Sequence, residues 1–235
     1  MIPKIIHYCW FGGKEKPVSV LKYIETWKKV LPDYEIKEWN EQNFDINKLR
    51  FTKEAYLLKK SAFVADVCRL YALLTEGGLY FDTDVEVKKS FNELLFNDVF
   101  IGLEEEKSQR IGTSVIGAIK GNSFIAKSYD HYKNLSFILD NGSFNTIPNT
   151  LVLSNLLKTE KSLKVKVYPV DFFSPIDFET KRLKMTERTY SIHHFTGTWL
   201  PKYRQIESAF WKKLGLRDKQ LIFKILRKLH LTNNF

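Results

Sequence analysis

Asp82 and Asp84 stand two residues apart where the apolar run Leu79-Tyr80-Phe81 ends. On a regular strand such residues face the same side, and their carboxylates would repel. A divalent cation removes that repulsion. Mg²⁺ and Mn²⁺ are hard cations that take oxygen ligands, commonly one or two carboxylates together with substrate phosphates. The plainer alternative is a polar turn after a core strand, since an isolated Asp-x-Asp is a common tripeptide. Asp66 and Arg69 form a second charged set, alone in the segment from Ser61 to Thr75. At i, i+3 they share a helix face, where an exposed ion pair is worth only a few tenths of a kcal/mol. A buried pair is a poor source of stability, because desolvation can exceed the attraction. A charged pair inside so apolar a helix is therefore better explained by a ligand. The third group is His193-His194, with Gly197 beyond it. Its spacing alone fits a core histidine beside a capping one, or an imidazole donor of the kind Mn²⁺ accepts.

These side chains need elements to hold them. Phe63, Val67, Leu70 and Leu74 recur at i, i+4, i+7 and i+11, so the segment from Ser61 predicts a helix, apolar nearly all round and hence buried. Gly77 offers a left-handed stop, and Leu79–Phe81 reads as a short inner strand that delivers both aspartates. Upstream, Lys4–Trp10 reads as a buried first strand ended by Gly12-Gly13, Val18–Val30 as a helix and Tyr34–Trp39 as an alternating strand. Together these three make a βαβ unit and an α/β fold. Ligands gather at the carboxyl ends of parallel strands, where Trp10 falls, although core packing would also suit that ring. Thr52–Lys60 predicts a short helix. Downstream, strands are expected at 85–89, 99–103, 112–119 and 165–169. A helix is expected from Asn122 to about Leu139, and another over Leu151–Leu157. Glu104–Arg110 reads as a charged, solvated loop rather than a carboxylate cluster.

The 235 residues suit one domain with an appendage, and an apolar share of 44% supplies a sizeable core. A formal charge of +10 points to polyanions: nucleic acid, anionic lipid or a phosphorylated substrate. No zinc-finger spacing or RNA-binding aromatic signature accompanies it. Cys9 and Cys68 sit among apolar residues and read as buried thiols, which suits a reducing compartment. The start of the chain does not read as a signal peptide, and no apolar run reaches the roughly 18 residues of a membrane span.

Four stretches together resemble the donor-site core of the DXD glycosyltransferases grouped as family 32. They are Ile2-Pro-Lys-Ile-Ile-His-Tyr-Cys-Trp10-Phe-Gly12-Gly, Asp66-x-x-Arg69, Gly77-Gly-Leu-Tyr-Phe-Asp82-Thr-Asp84 and His193-His194-Phe-Thr-Gly197-Thr198-Trp199. They fall in the family's order over nearly the whole chain. The glucosyltransferase domains of the clostridial toxins are more distant relatives. The resemblance implies a GT-A type fold, a Rossmann-like mixed sheet flanked by helices, with a catalytic domain over residues 1–204. It implies Mn²⁺ or Mg²⁺ held by Asp82, Asp84 and His194, with Asp82 alternatively on the ribose and sugar hydroxyls. Trp10 and Gly12 would meet the nucleotide, Trp10 by stacking on the base. Asp66 and Arg69 would meet the donor sugar hydroxyls, and Gly197, Thr198 and Trp199 the diphosphate. Many members carry Ser where this chain has Thr198, and both offer a hydroxyl. The family retains anomeric configuration.

The implied activity is sugar transfer from a nucleotide sugar, UDP-linked by preference and GDP-mannose otherwise, to a glycan acceptor in bacterial surface polysaccharide synthesis. A polyprenyl-diphosphate-linked acceptor is implied by analogy. Two other classes fit parts of the pattern: a metal-dependent nucleotidyltransferase or phosphohydrolase, which also uses paired carboxylates, and a basic nucleic-acid-binding protein. The positive charge lies mostly after Trp199, apart from the carboxylates, so nucleic acid is not an expected partner. Residues 205–235 form a basic extension in which Leu221, Ile222, Ile225, Leu226 and Leu229 share a helical face beside Lys219, Lys224, Arg227 and Lys228. Such a helix suits an anionic membrane surface, or docking on the domain. The expected location is cytoplasmic, peripheral on the inner face of the cell membrane.

Overall fold

A computed structural model describes residues 1–177 and 182–197. Thr198, Trp199, the boundary near residue 204 and the basic extension lie outside the described residues. The centre is a six-stranded mixed sheet in the order β2-β1-β3-β6-β5-β7. Strand β1 (Ile5–Cys9), helix α1 (Val18–Val30) and strand β2 (Glu35–Trp39) form the expected βαβ unit, with β1 and β2 parallel in register from Ile5↔Glu35 to Cys9↔Trp39. Helices α2 (Arg50–Leu57) and α3 (Ser61–Glu76) follow, and α3 leads into β3 (Gly78–Phe81), parallel to β1. Strand β4 (Val85–Val87) leaves this sheet. The chain then returns through β5 (Val99–Glu105) and β6 (Arg110–Ala118), a hairpin whose second strand pairs antiparallel with β3. Helices α4 (Ser123–Asp130) and α5 (Asn149–Thr159), strand β7 (Lys166–Tyr168), the single turn α6 (Val170–Phe173) and strand β8 (Ser191–His193) complete the order.

Alternation builds two cores, one on each face. Cys9, Tyr80, Ile101 and Ile116 join Val67, Cys68, Leu70 and Leu73 of α3 on one side. Their neighbours Tyr8, Leu79, Phe81, Phe100 and Val115 join Trp27 of α1 on the other. Strands buried on both faces read as continuous apolar runs. Cys9 and Cys68 are buried free thiols, as expected. Within α3, Val64, Val67, Leu70 and Leu73 are fully buried, while Phe63 and Leu74 are only partly so.

Three expectations change. Gly77 ends α3 at φ +72°, ψ −172°, a region open only to glycine but not the left-handed helical one. A Cβ there would lie 2.6 Å from the Lys120 nitrogen, so the chain can pass this close only without a side chain. The helix expected from Asn122 to Leu139 stops at Asp130. Tyr132 and Phe137 instead pack their rings on Phe51, and the Glu54 carboxylate takes the Phe137 and Ile138 amides at 2.8 and 2.9 Å. Tertiary contacts override the local preference there. Finally, Glu104 and Glu105 belong to β5, so the charged loop shrinks to the turn beyond them.

Candidate functional site

Neighbouring parallel strands β1 and β3 end at the same sheet edge, so Trp10 and Asp82 emerge side by side. The two aspartates do not lie on a regular strand. The Val85 amide donates to the Asp82 carbonyl at 3.0 Å, which makes Asp82–Val85 a turn. That turn passes the chain from the main sheet to β4, whose partner is β8, with Val85 opposite His193. This pairing carries His193 to the carboxylates. Its Nε2 lies 3.3 Å from the Asp84 carboxylate, and the ligand atoms of Asp82, Asp84 and His193 all fall within 4.8 Å of one another. Asp84 is fixed from the far side by the Thr196 amide at 2.8 Å and hydroxyl at 3.0 Å. Burial alone would raise the Asp84 pKa, yet His193 and Thr196 hold it down to about 2. Burial opposes charge on His193 too, but Asp84, Asp82 and Glu104 hold its pKa above the ordinary 6.5.

The donor set suits a hard or borderline divalent cation: two carboxylates and an imidazole whose Nδ1 is buried without a hydrogen-bond partner among the described residues. The imidazole at this cluster is His193, not the expected His194. Ser191, His193 and their alternates Tyr190 and Ile192 take opposite faces, so adjacent histidines must diverge. His194 turns outward, its Nε2 2.9 Å from Glu86 and its ring stacked on Tyr23 at 4.7 Å.

Arg69 links the helix to the turn. Its guanidinium meets Asp66 at 2.9 Å and Asp82 at 3.3 Å, donates to the Thr113 carbonyl at 2.8 Å and lies over the Tyr80 ring. The Tyr80 hydroxyl donates to Asp82 at 3.0 Å. Asp66, Arg69 and Asp82 are thus brought into one network, nearly closed to solvent at Arg69. Burial, with a smaller push from Asp82, raises the Asp66 carboxyl to about 6, although Arg69 pulls the other way. The Asn149 amide donates to the Asp66 carbonyl at 3.0 Å, tying the start of α5 to the same helix.

Trp10 lines a cleft of ≈ 490 Å³ with Gly12, Lys14, Lys16, Asn40 and Tyr56. Its indole donates to the Lys14 carbonyl at 2.6 Å, and the Lys16 ammonium stands 5.8 Å from the ring. Gly12 is at φ +99° and Gly197 at φ +61°. By contrast, His7 is a structural group. Its Nδ1 accepts from Trp39 and its Nε2 donates to the Gly77 carbonyl, a neutral tautomer, and burial lowers its pKa. Sequence reasoning missed Glu104. Its side chain is 14% exposed and meets Arg110 at 3.2 Å. Burial raises its pKa against the pull of His193 and Arg110. Nothing in Glu104-Glu-Glu separates the three acids; only the β5–β6 pairing does.

The chain is similar to known proteins. The glycosyltransferase sugar-binding region containing a DXD motif matches residues 17–101, the stretch that holds Asp66, Arg69, Asp82 and Asp84. An uncharacterized glycosyltransferase of Acanthamoeba polyphaga mimivirus is 28% identical over 242 residues, 96% of this chain and 92% of that one. The chain is a glycosyltransferase that carries the DXD sugar-binding region. Inositol phosphoceramide mannosyltransferase 3 of Schizosaccharomyces pombe is 24% identical to the transferase over 144 residues, 58% of the transferase and 38% of the yeast protein. A solved glycosyltransferase involved in the glycosylation of the major capsid of PBCV-1 superposes with a TM-score of 0.52 at 12% identity, covering 87% of the transferase and 98% of that chain. The fold is the expected α/β arrangement of the GT-A type.

Proposed function

We propose that the transferase uses a divalent cation, Mn²⁺ or Mg²⁺, to move a sugar from a nucleotide sugar, UDP-linked by preference, to a glycan acceptor with retention of configuration. The observation that carries this reading is the convergence of Asp82, Asp84 and His193 beside the Asp66–Arg69 pair at one sheet edge. Asp82, Asp84 and His193 would hold the cation. Bound there, a divalent ion supplies Lewis-acid neutralisation of the diphosphate leaving group. Thr196 keeps Asp84 in its rotamer. Arg69 and Asp66 would grip the donor sugar hydroxyls, and Trp10 would stack on the base. Gly197, Thr198 and Trp199 would lie toward the phosphates. The acceptor hydroxyl attacks from the leaving-group side, and a departing phosphate oxygen takes its proton. The setting proposed for this transfer is surface polysaccharide synthesis.

GDP-mannose is the second donor to test, because one relative is a mannosyltransferase. UDP-sugars and GDP-mannose are incubated with the transferase and Mn²⁺, and sugar transfer or slow sugar release is followed. Asp84→Asn keeps the shape and loses the charge, so it should abolish turnover and weaken Mn²⁺ binding in calorimetry without unfolding the protein. Near-normal Mn²⁺ binding by the variant would falsify the metal assignment.

A further inference from the structure

Six of the thirteen exposed large apolar side chains among the described residues fall in one region: Leu57, Ile138, Leu139, Phe144, Ile147 and Leu151. Ile147 is 55% exposed and Leu151 45%. The region is built, not loose. Ile138 and Phe144 form an antiparallel bridge, and the Leu139 amide donates to Ser143 at 2.9 Å. Phe144 stacks on the buried Phe137 at 5.5 Å. Exposed apolar side chains grouped in this way mark an interaction site when they are rimmed by polar groups.

The rim is basic. Arg50, Lys53, Glu54 and Leu57 fall at i, i+3, i+4 and i+7 on α2 and so form one stripe. Glu54 ties that stripe to the hairpin through the Phe137 and Ile138 amides and accepts from Arg50 at 2.6 Å. Lys53, Lys59 and Lys60 are exposed along and just beyond the helix. Between His131 and Thr159 the sequence holds a single acid, Asp140. Exposed apolar side chains beside several cations complement an anionic lipid surface, where the carbon chains accept one and the headgroups the other.

We infer that this face, the hairpin Ile138–Phe144 with Ile147, Leu151 and the α2 stripe, docks the transferase on an anionic membrane. Asn149, between Ile147 and Leu151, donates to the Asp66 backbone carbonyl, so the segment that carries the face is tied to α3 beside the candidate site. An acceptor met there keeps its apolar part in the bilayer and offers its sugar to the site. That last step rests on the proposed transfer; the docking itself does not.

The test uses the full chain carrying Ile147→Cys labelled with an environment-sensitive fluorophore. Leu21→Cys, on α1 across the sheet, serves as control. Cys9 and Cys68 are buried, which leaves the introduced thiol as the reactive one. Vesicles are equal parts phosphatidylcholine and phosphatidylglycerol, or phosphatidylcholine alone. With the anionic vesicles, the probe at 147 should shift to the blue and be quenched by spin-labelled lipid, while the probe at 21 stays in water. Lys53→Gln should weaken vesicle binding about fivefold. Sedimentation with vesicles while the probe at 147 remains in water overturns the inference and assigns the contact elsewhere. So does absence of sedimentation, or a blue shift without vesicles, which would assign the face to a second copy of the chain. Donor hydrolysis is measured separately. Its loss would overturn the transfer reading without touching the docking result.

Discussion

Replacing Asp66 by asparagine should make the folded protein gain stability relative to the unsubstituted chain as the pH rises from acid to neutral, while costing it the donor sugar. Burial pushes the Asp66 carboxyl from an ordinary 3.8 up to about 6, with Asp82 adding to the rise and Arg69 offsetting part of it. The folded state therefore keeps this proton to about pH 6, while the unfolded chain releases it near 3.8. Stability contributed by the protonated acid is present below the unfolded value and is lost as the pH climbs through the window between the two. About two pH units at 1.36 kcal/mol each make the loss roughly 3 kcal/mol. Asparagine keeps the shape and carries no charge. Arg69 retains Asp82 at 3.3 Å and the Thr113 carbonyl at 2.8 Å, so it is not left without partners. Any fixed cost of losing the Asp66–Arg69 contact is the same at every pH and cancels in a comparison. Thermal unfolding of both proteins near pH 4 and near pH 8 should show the variant gaining most of roughly 3 kcal/mol on going to the higher pH, or roughly 6–12 °C for a chain of this size. Calorimetry with the nucleotide sugar should show weakened binding at both. An identical stability difference at the two pH values would refute the reasoning, because Asp66 would then not carry a raised pKa. On the proposed function, the stability cost of this buried carboxylate is offset by its contact with the donor sugar.

His193→Ala should lower Mn²⁺ affinity at least about tenfold, as loss of a ligand costs no less than loss of its supporting shell, whereas His194→Ala should leave it unchanged; direct Mn²⁺ titration separates the two, and the reverse result would restore His194. Trp10→Ala should cost roughly 1–3 kcal/mol in binding UDP alone, by analogy with base stacking elsewhere, and unchanged affinity with an intact fold would return Trp10 to the core. Gly117→Ala should destabilise the sheet by roughly 1–3 kcal/mol or more in urea unfolding, because its Cβ would lie 2.2 Å from the Phe100 ring across the β5–β6 pair; full stability would mean that ring can move.

Much of this protein is local and could be read from its residues. The βαβ unit shows in the switch from helical to alternating period between Val18–Val30 and Glu35–Trp39, because the sheet needs one face pattern and the helix another. The buried α3 shows because only two charges interrupt it, and those two residues, with Asp82, form the network found in the structure. Other features depend on pairings between distant segments. Whether His193 or His194 faces Asp84 is decided by β4 pairing with β8, with Val85 opposite His193 more than a hundred residues away in sequence, and two adjacent histidines offer no local sign of which way that register falls. The end of α4 is decided by Phe51 and Glu54 drawing Tyr132 and Phe137 off the helix axis. Glu104 is decided by the hairpin that turns it toward His193 while Glu106 stays in solvent. Residue type and spacing determined which chemistry the chain can offer; burial and strand register, which no short window of sequence contains, decided which of those groups meet.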